Sequence, residues 1–117
     1  MGTSVLKDKS YAFALRIVKL ARYLQDQKKE FILSKQTLRS GTSIGAMIFE
    51  GEFGQSKADF INKMYVALKE ANETDYWLSL LKDSGFITKK MHQSMSEDNK
   101  ELIAMLVSTI KTSKKNK

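Results

Sequence analysis

No proline interrupts this chain of 117 residues. Proline removes a backbone N–H and clashes with the preceding helical turn, so its absence permits long uninterrupted helices. Glycine is sparse outside one stretch, RSGTSIGAMIFEGEFG, which runs from Arg39 to Gly54 and holds four of the six glycines. Because this length suffices for one modest core and not for two, the sequence predicts a single helical domain.

Apolar residues recur at steps of three and four along four segments, which is the spacing of one face of a helix. The third segment begins at Ser56 with an acid three residues later and ends at Ser84-Gly85, both typical helix boundaries. Its apolar positions have the alternating four-three spacing of bundle packing, so the predicted fold class is all-α. The pattern predicts a four-helix bundle with helices over residues 10–29, 33–52, 56–83 and 88–112 and a basic tail over residues 111–117.

The third predicted helix is apolar around most of its circumference. Beside its bundle seam it carries a second apolar set, namely Ile61, Tyr65, Val66, Leu68, Tyr76, Trp77 and Leu80. A helix that is apolar nearly all round is buried nearly all round, whereas each helix of a four-helix bundle keeps an outer face. We therefore predict a homo-oligomer in which another subunit covers this helix. The alternative is that the Tyr and Trp side chains lie at a wet surface.

The glycine-rich stretch does not match a nucleotide-binding loop. A phosphate-binding loop needs a lysine and a hydroxyl directly after its last glycine, and here Ala46 follows Gly45. A dinucleotide fingerprint needs a different spacing between a strand and a helix. As a helix, the stretch places Gly41 and Gly45 on one face, where close backbone approach compensates their poor helix propensity. We expect Gly45→Leu to disrupt folding or assembly.

Residues for common catalytic and metal chemistry are missing. The chain has no cysteine and a single histidine, His92. A carboxylate-bridged metal site needs Glu-x-x-His motifs on two helices, and no glutamate stands three residues before His92. Hydrolysis by paired carboxylates stays an alternative, although Glu70 and Glu73 lie on one helix among apolar neighbours. We predict a protein that is not an enzyme and holds no cofactor or metal.

The absence of cysteine suits a reducing compartment. The N-terminal residues lack the apolar core of a signal peptide, and no apolar run approaches the length of a membrane span. We therefore expect a cytoplasmic protein that does not bind membranes.

The net charge of +7 is unevenly distributed. Residues 1–29 carry seven Lys and Arg against two acids, and residues 111–117 carry four lysines and no acid. Such clusters attract polyanions, and Tyr23 among them offers a stacking surface for a base. The predicted nucleic-acid-binding residues are Arg16, Lys19, Arg22, Lys28, Lys29, Lys111, Lys114 and Lys115. The alternative is a solvated face that serves only solubility.

Two runs, LRSGTSIGAMIFEG and DFINKMYVALKEANETDYWLSLL, resemble the family of 23S rRNA intervening-sequence proteins. This superfamily includes the accessory variability determinant proteins of diversity-generating retroelements. The resemblance covers nearly the whole chain and implies an antiparallel, up-and-down four-helix bundle that assembles into a homopentameric barrel. It also implies no known enzymatic activity, and an association with nucleic acid and a reverse transcriptase.

The family's polar positions match Arg39, Ser43, Glu50, Glu70 and Glu73 of this chain. A further family position, usually asparagine, is occupied by Met47, which puts the role of that position in doubt. We interpret the five matching residues as a structural network, buried or at an interface, in which the arginine pairs with glutamate. The alternative is a functional site.

Two functions follow as hypotheses. The first is a non-catalytic oligomeric scaffold that binds RNA or DNA, or a nucleic-acid enzyme such as a reverse transcriptase, through its basic surface. The second is a protein–protein interaction module that binds no nucleic acid, with its charge serving solubility.

Overall fold

Four helices account for most of residues 3–115, the part of the chain that the computed structural model describes. They are α1 (Ser4–Gln27), α2 (Leu33–Glu52), α3 (Lys57–Asp83) and α4 (Lys89–Lys115). Each helix packs against its neighbours in the chain, and α1 also packs, more loosely, against α4. Together they form an antiparallel bundle of 48 × 21 × 19 Å, with no strand among these residues. The predicted all-α four-helix bundle is confirmed.

The first helix begins six residues before its predicted start. Leu6 is fully buried and continues the apolar face of Ser10, Phe13 and Ile17 at helical spacing. The charged residues around Leu6 concealed this extension in the sequence, because their side chains lie on the outer side of the helix.

The last helix extends beyond its predicted end and includes most of the predicted tail. Ile110 and Ser113 keep its buried face in register up to Lys115. Lys111, Lys114 and Lys115 are therefore positioned by a helix rather than by an extended tail. Residues 116–117 of the predicted tail lie outside the described part of the chain.

The boundaries of α3 follow the chemistry that the sequence indicated. The Ser56 hydroxyl accepts a hydrogen bond from the Asp59 amide at 3.1 Å, which satisfies one of the free N–H groups of the first turn. At the other end, Gly85 has a positive φ of 83°. This left-handed residue lets the Phe86 amide bond back to the Leu81 carbonyl at 2.9 Å and ends the helix.

Glycine brings α1 and α2 close together. A Cβ atom at Gly41 would lie 2.7 Å from two atoms of the Ile17 side chain, and one at Gly45 would lie 3.4 Å from the backbone oxygen of Ser10. The predicted close packing of this stretch is thus between neighbouring helices of one protomer.

The exposed apolar surface differs from the prediction for the third helix. Its second apolar set is mostly half-buried within the protomer, and only Tyr65 and Tyr76 are exposed. The remaining exposed large apolar side chains belong to α1, to α2, to the connection between them and to the residue that directly follows α2: Val5, Tyr11, Leu15, Phe31, Ile32, Phe49 and Phe53. The helix that is apolar all round is covered largely by its own neighbours, because α3 packs extensively on both α2 and α4.

Within residues 3–115, none of the helices combines the length and the apolar character needed to cross a membrane.

Candidate nucleic-acid interface

The cations of α1 do not all face solvent freely. Arg16 donates to the Asp98 carboxylate at 2.6 Å and to the Ser94 hydroxyl at 2.8 Å, so it links α1 to α4. The carboxylate of Asp98 therefore offsets the charge of Arg16, one of the predicted nucleic-acid-binding residues. Lys19 and Arg22, in contrast, are exposed and have no ion pair with any residue between 3 and 115.

Lys28 and Lys29 extend this basic surface beyond the end of α1. Both are exposed, and Lys29 has a left-handed backbone with φ of 54°. That conformation allows the Glu30 amide to bond back to the Leu24 carbonyl at 2.9 Å, which turns the chain toward α2. The lysine pair is therefore held at the end of the bundle by the helix-ending turn.

Two further lysines belong to this surface. Because α4 is antiparallel to α1, its first residues lie beside the last turns of α1, and Lys89 and Lys90 are exposed there. Lys19, Tyr23 and Lys90 line one groove between the two helices. We call Lys19, Arg22, Lys28, Lys29, Lys89 and Lys90 the basic end of the bundle. The two α4 lysines were not among the residues predicted from the sequence, although the up-and-down topology places them at this end.

The C-terminal lysines lie at the opposite end of the bundle. From Lys89 to Lys115 the helix rises about 40 Å at 1.5 Å per residue. Lys114 donates to the Tyr65 hydroxyl at 2.7 Å and lies 5.1 Å from the centre of that ring. Within one chain the predicted basic residues therefore form two groups, at the end of α1 and at the end of α4, which are separated by the length of the bundle.

The polar residues predicted as one network separate into two groups. Arg39 of α2 donates to Glu70 at 3.2 Å and also bonds to Glu73, both on α3. The Trp77 indole N–H donates to the same Glu73 carboxylate at 3.0 Å. The Arg39 side chain is 47% exposed, so this cluster lies at the protomer surface rather than in its core.

Ser43 and Glu50 are not joined to the two glutamates of α3. The Ser43 hydroxyl donates to the Arg39 backbone carbonyl at 2.6 Å, a bond within its own helix. Glu50 accepts from Lys63 at 3.0 Å, further along α2. Met47, at the position where the family usually has asparagine, is half-buried and packs against the core. The polar residues along α2 therefore make separate local contacts and do not form one continuous network.

Two carboxyl groups have lowered pKa values. The indole N–H of Trp77 and then the Arg39 guanidinium lower the pKa of Glu73, while the bond with Glu73 is the main cause of a raised pKa for Arg39. Near the start of α1, the Thr3 hydroxyl at 2.7 Å and then the Lys7 ammonium at 3.1 Å lower the pKa of Glu52.

These lowered values predict the sign of a pH dependence. Stabilisation by Glu73 and Glu52 is fully present above their ordinary pKa of 4.5 and is lost as the pH falls through the lowered value in the folded state. We expect the melting temperature to fall below about pH 4.5, and Glu73→Gln to reduce that fall. Thermal melts at successive pH values test this. Equal slopes for native protein and variant would show that Glu73 does not contribute.

The described acidic residues are spread out or paired with cations. Among residues 3–115, no three His, Cys, Asp or Glu side chains lie close enough to hold an ion together. Glu70 and Glu73 face Arg39, and Glu50 faces Lys63. His92 is half-buried, with its Nε2 atom 3.5 Å from the Ser79 hydroxyl.

The fold and the basic end define a class: an all-α four-helix bundle whose exposed cations at one end have no ion pair within residues 3–115. Within that class, the chain belongs to the family of 23S rRNA-intervening sequence proteins, whose family model matches residues 4–108. The resemblance to this family seen in the sequence is thereby confirmed.

A solved structure from Bacteroides thetaiotaomicron is closely similar. It is described as a protein with unknown function from the S23 ribosomal protein family. The two share 55% sequence identity with a TM-score of 0.93, over 95% of this chain and 99% of that one. A comparison with curated proteins finds no match.

Proposed function

We propose that this protein is a non-catalytic, homo-oligomeric scaffold that binds RNA or DNA through the basic end of its bundle. The observation that carries the proposal is the set of exposed cations there without an ion pair inside residues 3–115, in contrast to the paired Arg16. Such cations gain affinity by releasing counterions from a phosphate backbone. A nucleic-acid enzyme such as the reverse transcriptase of a diversity-generating retroelement is the further partner that the family resemblance suggests.

The scaffold is proposed to be a pentameric barrel in the cytoplasm. An exposed apolar patch on α1 and α2 supports assembly, because a folded monomer rarely exposes large contiguous apolar patches. Tyr11 and Phe49 border a groove of about 330 Å³ whose wall includes Ala14 and Gly45, and the ring of Phe53 lies 5.2 Å from that of Phe49. Five protomers would multiply weak contacts with a polymer, since later contacts form at high effective concentration.

The assembly is tested by placing a charge in this patch. We expect Phe49→Glu to convert a pentamer to a folded monomer, because an unpaired charge buried at an interface is costly. Light scattering after size exclusion measures the mass, and circular dichroism shows that the helices persist. Ile32→Glu is the control, since Ile32 is also a large apolar residue and is even more exposed than Phe49, but lies outside the groove that Tyr11 and Phe49 border. A native protein that is monomeric, or a variant with unchanged mass, would contradict the proposed interface.

Nucleic-acid binding is tested by reversing charge at the basic end. We expect Lys19→Glu combined with Arg22→Glu to weaken binding of labelled RNA and DNA at least tenfold at about 50 mM salt, and to flatten the salt dependence. Lys111→Glu combined with Lys115→Glu is the control with equal charge change at the other end of the bundle. Equal losses of affinity for both double variants would show that the basic end is not the binding surface. Absence of any salt-dependent binding would favour the protein–protein interaction module.

A further inference from the structure

The seam between α1 and α4 opens into a groove at the basic end. Its volume is about 550 Å³, within the range of small-molecule pockets. Leu20, Met91 and Met95 form an apolar part of its wall, and Tyr23 lies beside them. The groove exists because α1 packs more loosely on α4 than on α2, where glycines allow close approach.

Cationic side chains from both helices flank this apolar wall. Lys19 of α1 and Lys90 of α4 both line the groove and are exposed. The positive end of the α4 dipole lies at the same place, because Thr88 caps that helix by accepting from the Met91 amide at 3.0 Å. Arg16, also in the wall, is paired with Asp98. The net character of the rim is therefore cationic, and that of the floor is apolar and aromatic.

We propose that this groove binds single-stranded nucleic acid, with an unpaired base against Tyr23 and Met91 and its phosphates on Lys19 and Lys90. This inference rests on the proposed nucleic-acid function and specifies its substrate. An unpaired base presents a flat π face, and stacking on an aromatic ring is tolerant of sequence. A duplex keeps those faces stacked internally and offers the groove only phosphates, so an apolar floor gives it no contact.

The test compares single and double strands on the full chain. Labelled oligouridylate and oligothymidylate of about 20 nucleotides, and a duplex of the same length, are titrated at about 50 mM salt by fluorescence anisotropy. We expect both single strands to bind at least tenfold more tightly than the duplex. Tyr23→Leu should weaken single-strand binding about tenfold and leave duplex binding unchanged, because one stacking contact is lost. Tyr23→Phe, which keeps the ring, should bind as the native protein does.

The outcomes separate this inference from the proposed function. If strands and duplex bind equally and Tyr23→Leu weakens neither, the groove is not the base site, although nucleic-acid binding stands. If polyglutamate of matched charge competes as well as oligouridylate, only charge is recognised and the inference fails. If no polymer binds, the proposed function and this inference fail together.

A measurement on the native protein avoids dependence on a variant that folds poorly. Oligouridylate carrying 4-thiouracil is crosslinked by long-wavelength light, and the tryptic peptides are mapped by mass spectrometry. We expect crosslinks in residues 23–28 or 91–100, the tryptic peptides that begin at Tyr23 and Met91. Crosslinks confined to residues 111–115 would overturn the inference.

Discussion

Gly41→Leu is expected to unfold the bundle or to cost it several kcal/mol of stability. Gly41 is buried where α2 crosses α1, and even a Cβ atom there would lie 2.7 Å from Cγ1 and Cδ1 of Ile17. Ile17 is itself fully buried and belongs to the apolar core of the bundle. Overpacking a dense core typically costs about 1–3 kcal/mol, occasionally more, and leucine adds three further carbons beyond the clashing one. Such a loss is a large part of the total stability of a small domain.

The measurement is urea denaturation followed by circular dichroism, with Gly45→Leu as the matched control. Gly45 is half-buried, and a Cβ atom added there would lie 3.3 Å or more from the atoms of Ser10. Gly45 also lines the groove that Tyr11 and Phe49 border. We expect this control to fold with a smaller loss of stability but to assemble poorly. A second comparison uses Gly41→Ala with and without Ile17→Val. We expect Ile17→Val to restore part of the stability that Gly41→Ala loses, because valine lacks the Cδ1 atom that the added Cβ would contact. A Gly41→Leu protein with an unchanged midpoint would contradict the packing argument.

Glu30→Ala is expected to destabilise the fold by about 2 kcal/mol, through the loss of a charged cap on α2. The Glu30 carboxylate accepts from the backbone amides of Ile32, Leu33 and Ser34 at 3.1, 2.9 and 2.7 Å. The residue is only 8% exposed, so water cannot easily replace it. Its negative charge also lies at the positive end of the α2 dipole, where it is stabilising.

The matched control for this prediction is Glu30→Gln. Glutamine keeps an acceptor oxygen at the same reach but removes the charge, so we expect it to lose about half as much stability as alanine. Both variants are compared by chemical denaturation at neutral pH. Equal stability of Glu30→Ala and the native protein would show that solvent satisfies these amides.

The helix ends show how far local chemistry could be predicted. Ser56 and Gly85 act as a start and a stop because their effects depend on residues within one turn. Glu30 was missed because its carboxylate reaches forward to the first amides of a helix that begins at Leu33, and no common capping spacing describes that arrangement. The start of α1 was missed because Leu6 is the one buried residue between positions 4 and 9, and three charged residues follow it.

The site residues show where local reasoning stops. Lys19 and Arg22 were predicted as outward cations from their position opposite the core face of one helix, and both are exposed. Arg16 has the same local position, yet the Asp98 carboxylate on α4 offsets its charge. The pairing of Arg39 with Glu70 and Glu73 was suggested by the family, whereas the Trp77 bond to Glu73 was not.

The sequence by itself determined the four helices, their buried faces and the small residues that let α1 and α2 approach, because helical period and glycine sterics are properties of short stretches. Only the tertiary structure decided which charges meet. Antiparallel packing placed Lys90 beside Tyr23 and carried Lys111–Lys115 to the far end. Contacts across helices depend on how the elements are rotated and staggered against one another, and no single helix encodes that arrangement.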